Sequence, residues 1–171
     1  MSDALGLEDV VPYDRRWPAL FVAERKRIHE ASGGRLIRIE HIGGTSIPGM
    51  CAKPVLDMAV ARPADTTVSD CIAALERAGY EHRGFRGVPG REFFCRGRPR
   101  AYHVHLVEDG GRLWRDYLAF RDYLSAHAEE ARRFATSKHT LAERFSRDRE
   151  GYVDAKAGYV QEILELASRP A

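Results

Sequence analysis

Two stretches of this 171-residue chain carry residues whose type and spacing could do chemistry. The first runs Gly43-Gly44-Thr45-Ser46 and continues through Lys53 to Asp57, which sits inside the apolar run Val55-Leu56-Asp57-Met58-Ala59-Val60. Gly43 and Gly44 let a backbone approach an anion with no Cβ in the way, and successive N–H groups in such a turn form an anion-binding concavity. Thr45 and Ser46 add hydroxyl donors. Lys53, followed by Pro54, is kept out of a helix and is placed to reach a phosphate. An ionised carboxylate among apolar residues is costly unless it is paired or bound to metal, so Asp57 reads as a functional residue. The second stretch is Tyr102-His103-Val104-His105-Leu106. On a strand its two histidines project together from the face opposite Tyr102, Val104 and Leu106.

The elements that must position these residues follow from periodicity. Pro18 opens a helical pattern through Leu20, Val22, Ala23 and Ile28 that Gly33-Gly34 stops, and Leu36–Ile42 reads as a strand. Val55–Ala61 is the next strand, with Leu56, Met58 and Val60 on one face and Asp57 and Ala59 on the other. Asp65-Thr66-Thr67 caps a helix through Ile72, Leu75 and Ala78, ended by Gly79. Glu92–Arg96 and Ala101–Glu108 are strands joined by the Gly97-Arg98-Pro99-Arg100 turn. Helical spacing then recurs three times, in Leu113, Tyr117, Phe120 and Leu124; in Ala131, Phe134, Lys138, Leu141 and Phe145; and in Tyr152, Ala155, Tyr159, Ile163 and Leu166. The expectation is one α+β domain: a mixed β-sheet core over about 10–110 and a C-terminal helical layer over about 112–168, packed on the sheet or leaning over its edge.

Composition narrows the function classes. Forty-four per cent apolar and 30% charged residues suit a globular chain with a real core. No apolar run reaches membrane-spanning length and the first residues lack the layout of a signal peptide, so a cytoplasmic protein is expected. Three cysteines without Cys-x-x-Cys spacing argue for reduced thiols. A net charge of +2 does not call for a nucleic-acid partner. Locally, however, Arg83, Arg86, Arg91, Arg96, Arg98 and Arg100 share a segment whose only acid is Glu92. That positive patch is a candidate for binding a triphosphate or an acidic substrate, or RNA, against the plainer role of keeping a hairpin tip soluble. Arg121 and Asp122, adjacent on a helix, are expected to face different ways, and Glu40 or His41 to orient the glycine turn.

The segment His41 to Asp57 resembles the GrpB-like family of the nucleotidyltransferase superfamily, whose members read Glu-His-x-Gly-Ser-Thr-Ser-x-Pro-Gly-x-x-Ala-Lys-Pro-x-x-Asp. Gly44 stands where that family has Ser. The likeness continues at Val11-Pro12-Tyr13-Asp14 with Trp17-Pro18, at His103–Val107 and at Phe120–Leu124, and so covers nearly the whole chain. The resemblance implies a nucleotidyltransferase-like fold and a nucleoside triphosphate or other phosphorylated small molecule as ligand. It also implies a divalent metal, magnesium or manganese, and nucleotidyl transfer to a small acceptor as the candidate chemistry. It brings Asp57, His103 and His105 together as catalytic and metal-holding residues, a set that suits manganese, iron or zinc better than magnesium. Gly43, Gly44, Thr45, Ser46, Lys53, Arg91 and Arg121 would hold the ligand. So would Lys138 and Lys156, turned inward from the C-terminal helices. The superfamily's second acid, two residues after the first, is here Ala59. Two alternatives stay open: a binding or sensing module without transfer chemistry, and a repurposed metal-assisted condensation or hydrolysis.

Overall fold

A computed structural model describes residues 10–144 and 149–169. The strands are β1 (Ile39–Ile42), β2 (Leu56–Arg62), β3 (Glu81–His82), β4 (Arg91–Arg96) and β5 (Tyr102–Glu108), and the helices are α1 (Trp17–Ala31), α2 (Val68–Arg77), α3 (Arg112–Ala126), α4 (Ala128–Arg144) and α5 (Arg149–Ala167). The five strands form one mixed sheet in the order β1-β2-β5-β4-β3. Only β2 and β5 run parallel; every other pairing is antiparallel. The fold is α+β, as the sequence predicts.

Local chemistry accounts for the helix starts. Pro18 occupies the first turn of α1, where a missing N–H costs nothing. Thr67 caps α2: its hydroxyl accepts from the Asp70 N–H at 3.1 Å and donates to the Asp70 carboxylate at 2.7 Å, a reciprocal cap. Gly79, with φ +87°, turns the chain out of that helix.

β2 is buried on both sides, which is why it reads as an apolar run. Met58 and Val60 face a core shared with Ile28 of α1, Cys71 and Leu75 of α2, and Phe94, Val104 and Leu106 of the sheet. Ala59 and Ala61 face the other way, under Trp114 of α3 with Ile42 and Val107. The C-terminal helices therefore cover the sheet through α3, and a second cluster joins α3, α4 and α5 to Ile47 and Met50 beyond the glycine turn. Phe145, expected on the apolar face of the second of these helices, lies outside the described residues, as do the side chains of Lys138 and Tyr152.

The bounds of one expected strand are corrected, and one further strand is added. β1 starts at Ile39 rather than Leu36, although the Arg38 carbonyl still accepts from Ala61 N–H. Leu36 is buried in the core without belonging to the strand. The two-residue β3 at the sheet edge is too short to leave a periodic signal. All three cysteines are free, as expected, and among the described residues no helix is long and apolar enough to cross a membrane.

Side-chain contacts tie α1 to the sheet and its approach. Glu24, with a 4% exposed side chain, accepts from Arg96 Nε at 3.0 Å and from the Tyr80 hydroxyl at 2.8 Å. The Arg96 guanidinium lies over the Tyr102 ring, 4.5 Å from its centre. His41 of β1 stacks on Phe21 of α1, with ring centres 5.0 Å apart, and its Nε2 lies 2.8 Å from Thr45 Oγ1. Burial holds the His41 pKa down to about 4, against the nearby Asp57 charge that pulls it up.

Glu24→Ala strands the Arg96 guanidinium and the Tyr80 hydroxyl, so urea unfolding should register a loss of roughly 3–5 kcal/mol. For His41 the unfolded imidazole takes up its proton near pH 6.5 while the folded one stays neutral to about pH 4. Its stabilisation is thus complete above the unfolded value and is lost as pH falls through that window, by on the order of 3 kcal/mol. His41→Gln keeps a partner for Thr45 and should flatten this part of the stability profile; an unchanged slope would place the titration elsewhere.

Candidate functional site

The parallel pairing of β2 with β5 sets the site. Asp57 is in register with His103, and Ala59 with His105, so all four side chains point to the α3 side of the sheet. His103 Nδ1 and His105 Nε2 each lie 3.1 Å from the same oxygen, Asp57 Oδ1. Desolvation raises the Asp57 pKa, but the hydrogen bonds from His103 and then His105 outweigh it and hold the carboxyl well below the usual carboxylate range. Burial pushes His105 down, with Asp57 pulling it up. The Asp57 side chain remains 31% exposed, so the carboxylate is not sealed off.

β4 supplies the next layer. Phe93, in register with His105, meets both imidazoles edge-on, at 4.9 Å from the His103 ring centre and 5.3 Å from that of His105. Arg91 lies over the Phe93 ring and its Nη1 donates to His105 Nδ1 at 3.3 Å. Its Nη2 donates to the carbonyls of Phe85 and Arg86 at 3.2 and 3.3 Å, pinning the preceding loop. Tyr117 of α3 closes the far side of His105, ring centres 5.3 Å apart; burial pushes its phenol up, against the nearby Arg91. Among the described residues, the buried side-chain nitrogens and oxygens without a hydrogen-bond partner are Arg91 Nε and His103 Nε2. Both belong to this cluster.

The glycine turn lies against Asp57. Gly43 has φ +71°, and a Cβ there would stand 3.0 Å from Asp57 Oδ2 and 3.2 Å from Asp57 Cβ. The hydroxyls beside it are used differently from the expectation that they face a ligand. Thr45 is 1% exposed and is engaged by His41, while Ser46 Oγ donates to the Gly43 carbonyl at 2.6 Å. Of the two residues proposed to orient the turn, His41 does so through Thr45. Gly44 opens the single 3₁₀ turn Gly44–Ser46. Lys53 is half-buried on the segment that leads from this turn to β2.

The more distant candidates divide. Arg121 of α3 is near the turn but committed: its Nη1 donates to Glu40 at 2.7 Å and to the His41 carbonyl at 3.1 Å, and its Nε to Asp122 at 2.7 Å. The expectation that Arg121 and Asp122 part company is wrong, because a long guanidinium stem reaches its neighbour's carboxylate along the helix surface. Lys156 is exposed on α5 rather than turned inward, since nothing buried repays the desolvation of an ammonium there. Lys138 has its side chain outside the described residues. Sequence reasoning missed Phe93 and gave Tyr117 only a packing role. The register of β4 on β5 and the path of α3 are what place them, and neither leaves a local signal.

The donor set is a poor match for the metal that the resemblance implies. Among the described residues no group of three or more His, Cys, Asp or Glu side chains is arranged to hold a metal ion. Both imidazoles spend a nitrogen on one carboxylate oxygen, and the position of a second acid on β2 is Ala59, 0% exposed beneath Trp114. These residues do not fit a resident divalent metal, least of all magnesium, which asks for an octahedron of oxygens. What the arrangement can do is hold an anion with Arg91 and exchange a proton at an imidazole. Two open hollows, of about 430 and 570 Å³, lie at the other end of the sheet around Arg35, Thr66 and Asp70 and touch none of these residues.

Comparison with known proteins agrees with the fold and the motif. A UPF0157 protein of Streptomyces coelicolor is 39% identical over 96% of this chain and 83% of its own length. UPF0157 protein YqkA of Bacillus subtilis is 34% identical over 94% of this chain, which spans about half (47%) of that relative's length. A more distant likeness, 25% identical over 92% of this chain and 45% of the relative, is to a protein of Mycolicibacterium paratuberculosis named dephospho-CoA kinase. Among solved structures, the conserved protein GrpB from Enterococcus faecalis superposes with a TM-score of 0.80 at 30% identity, over 92% of this chain and 96% of that one. With the family profile described as GrpB protein matching residues 9–166, this chain belongs to the GrpB family.

Proposed function

We propose that this GrpB-family chain binds a nucleotide or another phosphorylated small molecule over the Asp57 face of its sheet, beside the Gly43 turn, with nucleotidyl transfer to a small acceptor as the chemistry of the site. The observation that carries the reading is the coincidence of the unpartnered buried nitrogens Arg91 Nε and His103 Nε2 in one cluster. A buried polar atom without a protein partner is costly and is normally satisfied by ligand or water. A guanidinium N–H is a phosphate donor by geometry and charge. The name of the distant dephospho-CoA kinase relative adds weight to a nucleotide-like ligand, though this chain spans under half of that protein.

The test is a thermal-shift panel of ATP, GTP, CTP, UTP and dephospho-CoA, each with and without magnesium or manganese. A ligand at a hundred times its Kd should add about 2.7 kcal/mol of stability. Arg91→Met keeps the stem over Phe93 and should lose most of that response while remaining folded. No shift with any compound under any metal condition removes the reading.

The rival, a binding or sensing module without transfer, is favoured by Ala59. Its place under Trp114 means that the missing acid cannot simply be put back. Ala59→Asp should cost roughly 3 kcal/mol or more in unfolding experiments, as a charge buried without a partner, and should not create magnesium binding. Pyrophosphate release by the wild-type protein with any acceptor supports transfer; ligand binding with no release across acceptors and metals supports the module. Hydrolysis or condensation of the bound compound without pyrophosphate would point to the repurposed enzyme.

A further inference from the structure

The two histidines share a strand, a face and a carboxylate oxygen, yet their other nitrogens meet different surroundings. Arg91 can only donate, so the His105 Nδ1 that faces its Nη1 at 3.3 Å must be bare. The proton of neutral His105 is then on Nε2, where it donates to Asp57 Oδ1. His103 is turned the other way: Nδ1 faces the same ionised oxygen and must carry the proton. In the neutral ring its Nε2 is then bare, and it is buried and without a partner. Register explains the asymmetry. His103 is level with Asp57 on β2 and with Cys95 on β4, while His105 sits one step up, level with Phe93 and within reach of Arg91.

We infer that Asp57, His103, His105 and Arg91 form a proton relay in which the two histidines hold opposite tautomers and do different work, in place of the metal-holding set that the sequence suggests. His103 is the general base: Asp57 fixes its Nδ1–H, so that Nε2 receives the proton of a ligand hydroxyl. His105 is a positioning residue, its bare Nδ1 holding Arg91 so that the unpaired Nε–H stays on the ligand side. This rests on the nucleotide reading proposed above. In a transfer the acceptor O–H bond breaks and its proton passes to His103 Nε2. The freed oxygen bonds to the α-phosphorus of a nucleoside triphosphate, and the bond from that phosphorus to the departing pyrophosphate breaks. Asp57 stabilises the imidazolium that results.

Long-range 1H–15N NMR of the histidine side chains in the wild-type protein, at about pH 8 to stay above the ordinary imidazole range, reads both tautomers directly. The expected result is Nδ1–H for His103 and Nε2–H for His105. Arg91→Met should let His105 mix tautomers while His103 keeps its own, a change that a merely structural role for His105 would not produce. Matching tautomers in the wild type, or loss of both ring protons on adding one equivalent of zinc or manganese, overturns the relay, the latter in favour of a metal site. ATP is the ligand probe: binding should move the His103 Nε2 and Arg91 Nε resonances, and ATP that binds while leaving His103 Nε2 unmoved overturns its role as base. If ATP does not bind at all, the nucleotide reading falls and takes the base's role with it, while the tautomers still decide the relay.

Discussion

A single ionised carboxylate set into a β-sheet is the constraint on which this structure turns. Asp57 interrupts an apolar strand, and a charge there is tolerable only if its oxygens are hydrogen-bonded. The parallel pairing of β2 with β5 answers that need by placing His103 level with it and His105 one step up, both within 3.1 Å of one oxygen. A slip of one residue would turn both imidazoles to the α1 side and leave the charge unpaired, so register and electrostatics enforce each other. The other oxygen needs room as well, and Gly43 provides it by carrying no side chain where a Cβ would stand 3.0 Å away.

Around this centre the helices divide the labour. On one side α1 is fastened by Glu24 to Arg96 and Tyr80, and by Phe21 to His41. The last of these steadies Thr45, and hence the turn that borders Asp57. On the other side α3 lays Trp114 over Ala59 and Ala61, while Arg121 grips Glu40 and the His41 carbonyl. The α3 side of β2 is therefore closed at positions 59 and 61 and partly open at Asp57. The polar chemistry is confined to the beginnings of the parallel strands, between the glycine turn and Arg91.

Much of this was legible in the amino-acid order, for reasons that are local. Alternation along 55–61 and 101–108 assigned Asp57, His103 and His105 to faces, since side chains on a strand must alternate. Pro18, Thr67 and Gly79 marked helix ends because each has a backbone or capping preference that acts within one turn. Recurrent apolar spacing announced the three C-terminal helices, and the Gly43–Asp57 motif the family. Local pattern also misled where a long side chain was free to choose, as when Arg121 turned to its neighbour Asp122 and Lys156 stayed in solvent.

What the sequence by itself determined is the set of elements, the faces of the strands and the chemical types gathered on them. Only the tertiary structure decided which groups meet. The parallel register brought two imidazoles to one oxygen, β4 delivered Phe93 and Arg91, and the path of α3 buried Ala59 and brought Tyr117 to His105. Those outcomes depend on pairings between residues tens of positions apart. Their energies come from contacts that do not exist until the chain has closed, so no local window of the sequence can carry them.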